Sequence, residues 1–96
     1  DPKAEALVSK MGDRFGQNLQ RAVDALEPIP ESGWQPEPLL DALKSAADAA
    51  GVKLGDAMQP IRVALTGSTV SEPVNELLAV VGRDASLERL RAAAGS

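Results

Sequence analysis

The sequence predicts an all-α fold, a compact helical array of about five to six short helices. Apolar residues recur three or four apart in successive stretches, Gly and Pro mark the ends of most of those stretches, and the alternation expected of a strand is nearly absent. At 96 residues the chain has the length of one domain with a modest core, so residues 1–96 are read as a single unit with a Pro-rich internal connection at residues 27–38.

Residues 2–26 place Val8, Met11, Phe15, Leu19, Ala22 and Leu26 on one helical face, behind a start at Asp1 and Pro2. Gly12 and Gly16 each weaken a helix by about 1 kcal/mol relative to Ala, so the segment either runs through or breaks near Gly12 into two pieces. Residues 27–38, Glu-Pro-Ile-Pro-Glu-Ser-Gly-Trp-Gln-Pro-Glu-Pro, hold four prolines. Each removes a backbone donor and turns its predecessor away from helix, which makes this stretch a structured connection whose Trp34 packs on the neighbouring helices. Leu39, Leu40, Leu43, Ala46, Ala47 and Ala50 then repeat at helical spacing, and Gly51 stands where a left-handed C-terminal cap belongs.

Residues 56–66 put Met58, Ile61 and Leu65 on one face, and Gly67 closes the segment as Gly51 closed the one before. The stretch 61–66 also satisfies a strand on propensity, but Pro60 fits the first turn of a helix and tips the reading to helix. Ser71-Glu72-Pro73 looks like a further helix start, with Val74, Leu77, Leu78 and Val81 as the buried face and Gly82 as the stop. A last helix over residues 84–93 turns Leu87 and Leu90 inward.

Composition removes most chemistry. With no His and no Cys there is no imidazole base, no thiolate nucleophile and no Cys/His metal site. Ten basic against fourteen acidic residues give a net charge of −4, which disfavours a protein that coats nucleic acid by bulk electrostatics. One Phe, one Trp and no Tyr argue against an aromatic platform for single strands. No apolar run approaches the roughly 18 residues that span a bilayer, and the first residues carry no secretory pattern. A start at Asp1 rather than Met is most simply explained by a fragment of something longer.

The remaining polar groups offer no active site. Glu72 and Glu76, four apart, could share a proton as a general acid/base pair, yet without a phosphate cradle, His or metal cluster they read as a solvated acidic face. Lys53-Leu54-Gly55 and Thr66-Gly67-Ser68 lack the spacing of a phosphate-binding loop. Arg62 stands apart by position. On a helix it shares an edge with Thr66, flanking the stripe of Met58, Ile61 and Leu65, from where a guanidinium can reach a ligand lying across the helix end.

The stretch Lys-Leu-Gly-Asp-Ala-Met-Gln-Pro-Ile-Arg-Val-Ala-Leu-Thr-Gly at residues 53–67, continued by Val70-Ser71, Leu77-Leu78, Val81-Gly82-Arg83 and Leu87-Glu88-Arg89-Leu90, resembles the C-terminal end of bacterial glutamyl-tRNA synthetases. The block Gln-Pro-Ile-Arg-Val-Ala-Leu-Thr-Gly is its specific part. The likeness covers residues 53–91 and extends, more loosely, over residues 34–51.

The resemblance implies a helical anticodon-binding module at the end of a class I synthetase, with the catalytic Rossmann domain upstream. It implies that this module contacts the first and middle anticodon bases, that Arg62 is a reading residue in the same block as Thr66, and that Ser71 and Val74 approach the anticodon from the following loop. Unstacked bases can be read on their edges by a few well-placed side chains, so a negative net charge is no obstacle. The implied partners are tRNA-Glu, with tRNA-Gln open as a second, and the upstream synthetase domains; a membrane is not among them. ATP and magnesium are implied for the longer enzyme and no cofactor for these residues; the setting is cytoplasmic and the protein a monomer. Where many family members have Ser-Pro-Gly followed by an aliphatic residue, Phe and Glu, this chain has Ser71-Glu72-Pro73-Val74-Asn75-Glu76. That departure leaves a second reading, a helical adaptor derived from the module that binds protein instead of RNA.

The charge balance agrees with the resemblance. Residues 1–50 hold 5 basic and 9 acidic groups, whereas residues 51–96 hold 5 of each, and four of the latter cations are Arg62, Arg83, Arg89 and Arg91. Arg suits planar recognition of bases and phosphates.

Overall fold

The computed structural model describes residues 2–69 and 72–95, and these form helices α1 (Pro2–Met11), α2 (Asp13–Leu26), α3 (Pro36–Ala50), α4 (Leu54–Thr66), α5 (Val74–Val81) and α6 (Arg83–Gly95). A single 3-10 turn, Glu31–Gly33, interrupts the link between α2 and α3, and no strand occurs among the described residues. The all-α expectation holds, with six helices among those residues.

The first apolar stretch does divide at Gly12, which takes φ 57° and ψ −128°. That is the mirror image of extended backbone, open to Gly and costly for any residue with a Cβ. Beyond the break, Phe15, Leu19, Ala22, Val23 and Leu26 form one buried stripe on α2. Before it the expected face is only partly used: Ala4 is buried, Met11 packs at the core's edge, and Val8 is 38% exposed. Val8, four residues after Ala4 and three before Met11, shares their face but stays partly exposed at a hollow beside Phe15, Val63 and Ala94.

The layers follow from these stripes. α2 packs most extensively on α6, where Leu87 and Leu90 meet it. The approach is close at Gly16, where a Cβ would lie 3.0 Å from the carbonyl oxygen of Ala94. α3 crosses α2, α4 and α5, burying Leu39, Leu43 and Ala47, while Ala50 of the expected face is exposed. α4 lies against α2, α3, α5 and α6, and α1 leans on α2 and α4. Leu19, Leu26, Leu39, Leu78 and Leu90 are fully excluded from water, each worth about 1.5–3 kcal/mol relative to an exposed side chain.

The Pro-rich link is shorter than its twelve-residue sequence signature, because α3 already begins at Pro36, whose missing N–H is no loss in a first helical turn. Trp34 packs as expected: it is 5% exposed and its indole Nε1 donates to the carbonyl of Leu78 at 2.7 Å. Gly51 and Gly67 take φ of 72° and 74° and end α3 and α4.

Two local expectations need correction. Pro60 sits inside α4, not in its first turn, because the helix starts at Leu54. Its ring is buried in the core, and its missing N–H removes the helical bond to the carbonyl of Asp56, an exposed residue. In the same turn the buried amide of Asn18 donates to the carbonyl of Ala57 at 2.9 Å and ties α2 to α4. The second correction concerns the carboxylate pair. α5 begins at Val74, so Glu72 lies outside it and Glu72 and Glu76 do not share a helical face.

Candidate nucleic-acid interface

α4 carries a polar edge. Asp56, Gln59, Arg62 and Thr66 succeed one another three or four apart, a ladder about 15 Å long along one side of the helix at 1.5 Å per residue. The opposite side, Ala57, Met58, Ile61 and Leu65, is buried, which fixes the rotation of α4 and turns the polar edge to the rim of the core.

Arg62 is half-buried, with its stem over the core and its head group restrained. Its Nη1 donates to Oε1 of Gln59 at 3.0 Å, one helical turn back. Its Nε is sealed from solvent and has no acceptor among the described residues. A guanidinium has five N–H donors in a planar fork; with Nε sealed and Nη1 held by Gln59, the donors left for a ligand are on the two terminal nitrogens.

The other expected contacts are arranged differently. The hydroxyl of Thr66 donates to the carbonyl of Arg62 at 2.8 Å and accepts the backbone N–H of Ser68 at 3.1 Å. Thr66 therefore shapes the end of α4 and the turn after it, directly beneath Arg62, with its donor already used. Val74 is 2% exposed and belongs to the hydrophobic core; its side chain seats α5 and presents no surface to a base. Ser71 lies outside the described residues. Asn75, which stands where the family often has a bulky residue, donates from Nδ2 to the carbonyl of Pro36 at 3.1 Å and joins the N-terminal ends of α5 and α3.

The remaining arginines of the second half each have a partner elsewhere in the fold. Arg83 donates from Nε to the carbonyl of Ile29 and from Nη2 to that of Glu27, both at 2.8 Å, closing off the end of α2. Arg91 pairs with the Glu27 carboxylate, and Arg89 donates from Nη1 to the carbonyl of Leu65 at 3.3 Å, at the end of α4. Each cation meets carbonyls or a carboxylate at a helix C-terminus, where partial negative charge collects.

What the sequence reading passed over is a concave pocket of about 480 Å³ between α1, α2 and the start of α4. Lys10, Arg14 and Arg21 line it together with Gln17, Asn18, Asp56 and Gln59. Three of the five cations in the acidic half of the chain thus gather at one surface. The signal was present in their spacing of four and seven residues, but the break at Gly12 hid it.

The model of the family described as "Anticodon binding domain" matches residues 2–94. The chain belongs to this family of anticodon-binding domains. It is 46% identical over 91 residues to glutamate–tRNA ligase 1 of Methylorubrum extorquens, covering 95% of this chain and 18% of that protein. To the glutamate–tRNA ligase of Saccharopolyspora erythraea it is 42% identical over 95 residues, covering 98% of this chain and 18% of the relative. With that of Thermobifida fusca the identity is 43% over 93 residues, 97% of this chain and 19% of the relative. The domain spans under a fifth of the length of these relatives. No helix among the described residues is long and apolar enough to cross a membrane.

Proposed function

We propose that this domain reads the first and middle anticodon bases of tRNA-Glu on behalf of a glutamate–tRNA ligase. In this reading a catalytic domain elsewhere in the longer protein attaches glutamate to the tRNA at the expense of ATP, in the cytoplasm and as a monomer. The observation that carries the proposal is the pairing of Arg62 with Gln59, which holds a guanidinium with donors left on its terminal nitrogens at the rim of the core, on the family's most specific sequence block. Single-stranded bases are read by such groups, through hydrogen bonds to their edges and stacking on the Arg plane. The reading assigns ATP and magnesium to the catalytic part of the longer protein.

The discriminating experiment is a titration of the domain with the anticodon stem-loop of tRNA-Glu at low salt, by fluorescence anisotropy. Stem-loops changed at the first or middle anticodon base should bind more weakly by about 1–3 kcal/mol, the usual worth of a specific base contact. Arg62→Ala should erase that preference. Binding that ignores both the anticodon and Arg62 removes the assigned role and favours the protein-binding adaptor.

A further inference from the structure

We propose that the pocket between α1, α2 and α4 is a phosphate-binding groove in which Lys10, Arg14 and Arg21 hold the RNA backbone beside the base at Arg62. The proposal rests on the reading of Arg62 just given and adds the path of the strand.

Three observations support it. The groove gathers Lys10, Arg14 and Arg21 against the single carboxylate of Asp56, so its sign is opposite to that of the chain as a whole, which carries −4. The groove is continuous with the reading position, because Gln59 both lines it and accepts from Arg62. Finally, its cations keep donors to spare. Arg14 makes only 3.5 Å contacts to the carbonyls of Met11 and Lys10, Arg21 spends one nitrogen on the side-chain oxygen of Asn18 at 3.2 Å, and Lys10 is exposed. Arg83 gives two nitrogens to the carbonyls of Ile29 and Glu27 and Arg91 pairs with the Glu27 carboxylate, whereas the three groove cations line one surface with Gln59, the partner of Arg62. Phosphate contacts position a strand and carry no sequence information, whereas base contacts specify. The groove and Arg62 divide these two tasks.

The division is measurable through salt dependence. Each contact to a single-stranded phosphate contributes about 0.7 to the slope of log affinity against log salt. The anticodon stem-loop is titrated into the domain between about 50 and 200 mM salt, for wild type, Lys10→Ala/Arg14→Ala, Arg21→Ala and Lys44→Ala. Lys44 is exposed on α3 and does not line the groove, so its variant controls for loss of bulk charge. The double variant should lower the slope by about 1.4, making its loss of affinity across that range roughly sevenfold smaller than that of wild type. Arg21→Ala should lower the slope by about 0.7, and Lys44→Ala should leave it unchanged. Affinity should fall equally for cognate and base-changed RNA, with the anticodon preference intact and far-UV circular dichroism unaltered. Slopes unchanged in the groove variants, with wild type still selective, overturn the groove and leave the Arg62 reading standing. Groove-dependent binding without anticodon preference does the reverse, and absence of wild-type binding overturns both.

Discussion

Two buried donors from different parts of the chain converge on the carbonyl of Leu78: Nε1 of Trp34 at 2.7 Å and Oγ of Ser86 at 3.3 Å. The same oxygen accepts the N–H of Gly82 at 3.0 Å at the end of α5. Trp34 thereby pins the link between α2 and α3 to the α5–α6 corner, and the Pro-rich segment is fixed by a hydrogen bond as well as by burial. Trp34→Phe keeps most of the ring in the core and leaves the carbonyl bonded to its other donors, so the expected loss is about 1 kcal/mol. Trp34→Ala should cost about 3–5 kcal/mol. For a chain of this size each 1 kcal/mol lowers Tm by about 4–8 °C. The measurement is urea or thermal unfolding followed by circular dichroism, since Trp34 is the chain's single tryptophan and its fluorescence is lost in the variants. A Trp34→Phe protein as stable as wild type would show the indole bond to be dispensable.

At Gly12 a Cβ would meet nothing within 4 Å, so substitution there tests backbone conformation free of packing. With φ 57° and ψ −128°, Gly12→Ala should destabilise by about 1–3 kcal/mol despite the higher helix propensity of Ala. If α1 and α2 instead merged into one continuous helix, Ala would stabilise it and helical circular dichroism would rise.

The sequence was informative where a single helix face met one core. The stripes of α2 and α4, the glycine stops at Gly51 and Gly67, and the burial of Trp34 all follow from spacing and local backbone preference. It was less informative where two elements had to be placed relative to each other. Val8 shares a helical face with Ala4 and Met11 yet stays partly exposed at a hollow beside Phe15 and Val63, and the earlier start of α4 decides that Pro60 lies in a helix interior; neither outcome is written in periodicity. The same holds for the site. The placement of Arg62 at the rim of the core was legible because it sits in one helix beside a buried stripe. The partners of Arg83, Arg89 and Arg91 lie 24 to 64 residues away in sequence, so a count of arginines could not show what each one meets.

Arg83 shows what those commitments are worth. Its guanidinium reaches two carbonyls at once, those of Glu27 and Ile29, and its side chain is 26% exposed. Arg83→Ala should cost about 1–2 kcal/mol, at the low end for charge-assisted bonds because water can reach the site. Arg83→Lys should recover only part of this, since an ammonium on a flexible stem lacks the fork that serves two acceptors together. Neither change should alter the salt slope of RNA binding. A lowered slope in Arg83→Lys, where the charge is kept, would mean that Arg83 contacts the backbone directly.

Gln59 presents a sharper test, because it faces both Arg62 and the basic groove. If it acts by holding the guanidinium in place, Gln59→Ala frees Nη1 and the fork must be ordered again on binding. A loss of roughly 1 kcal/mol, about fivefold in affinity, is then expected for the cognate stem-loop. In a protein that already carries Arg62→Ala the same substitution should have no further effect, so the two changes are strongly non-additive in a double-mutant cycle. A Gln59 that touches RNA in its own right predicts the opposite: its removal costs the same fivefold whether or not Arg62 is present. Stability separates either case from unfolding, since Gln59 is only half-buried and lies outside the hydrophobic core, so its loss should shift Tm by less than the indole substitutions do. Non-additivity confined to binding, with additive stability, would identify Gln59 as the positioning residue for Arg62.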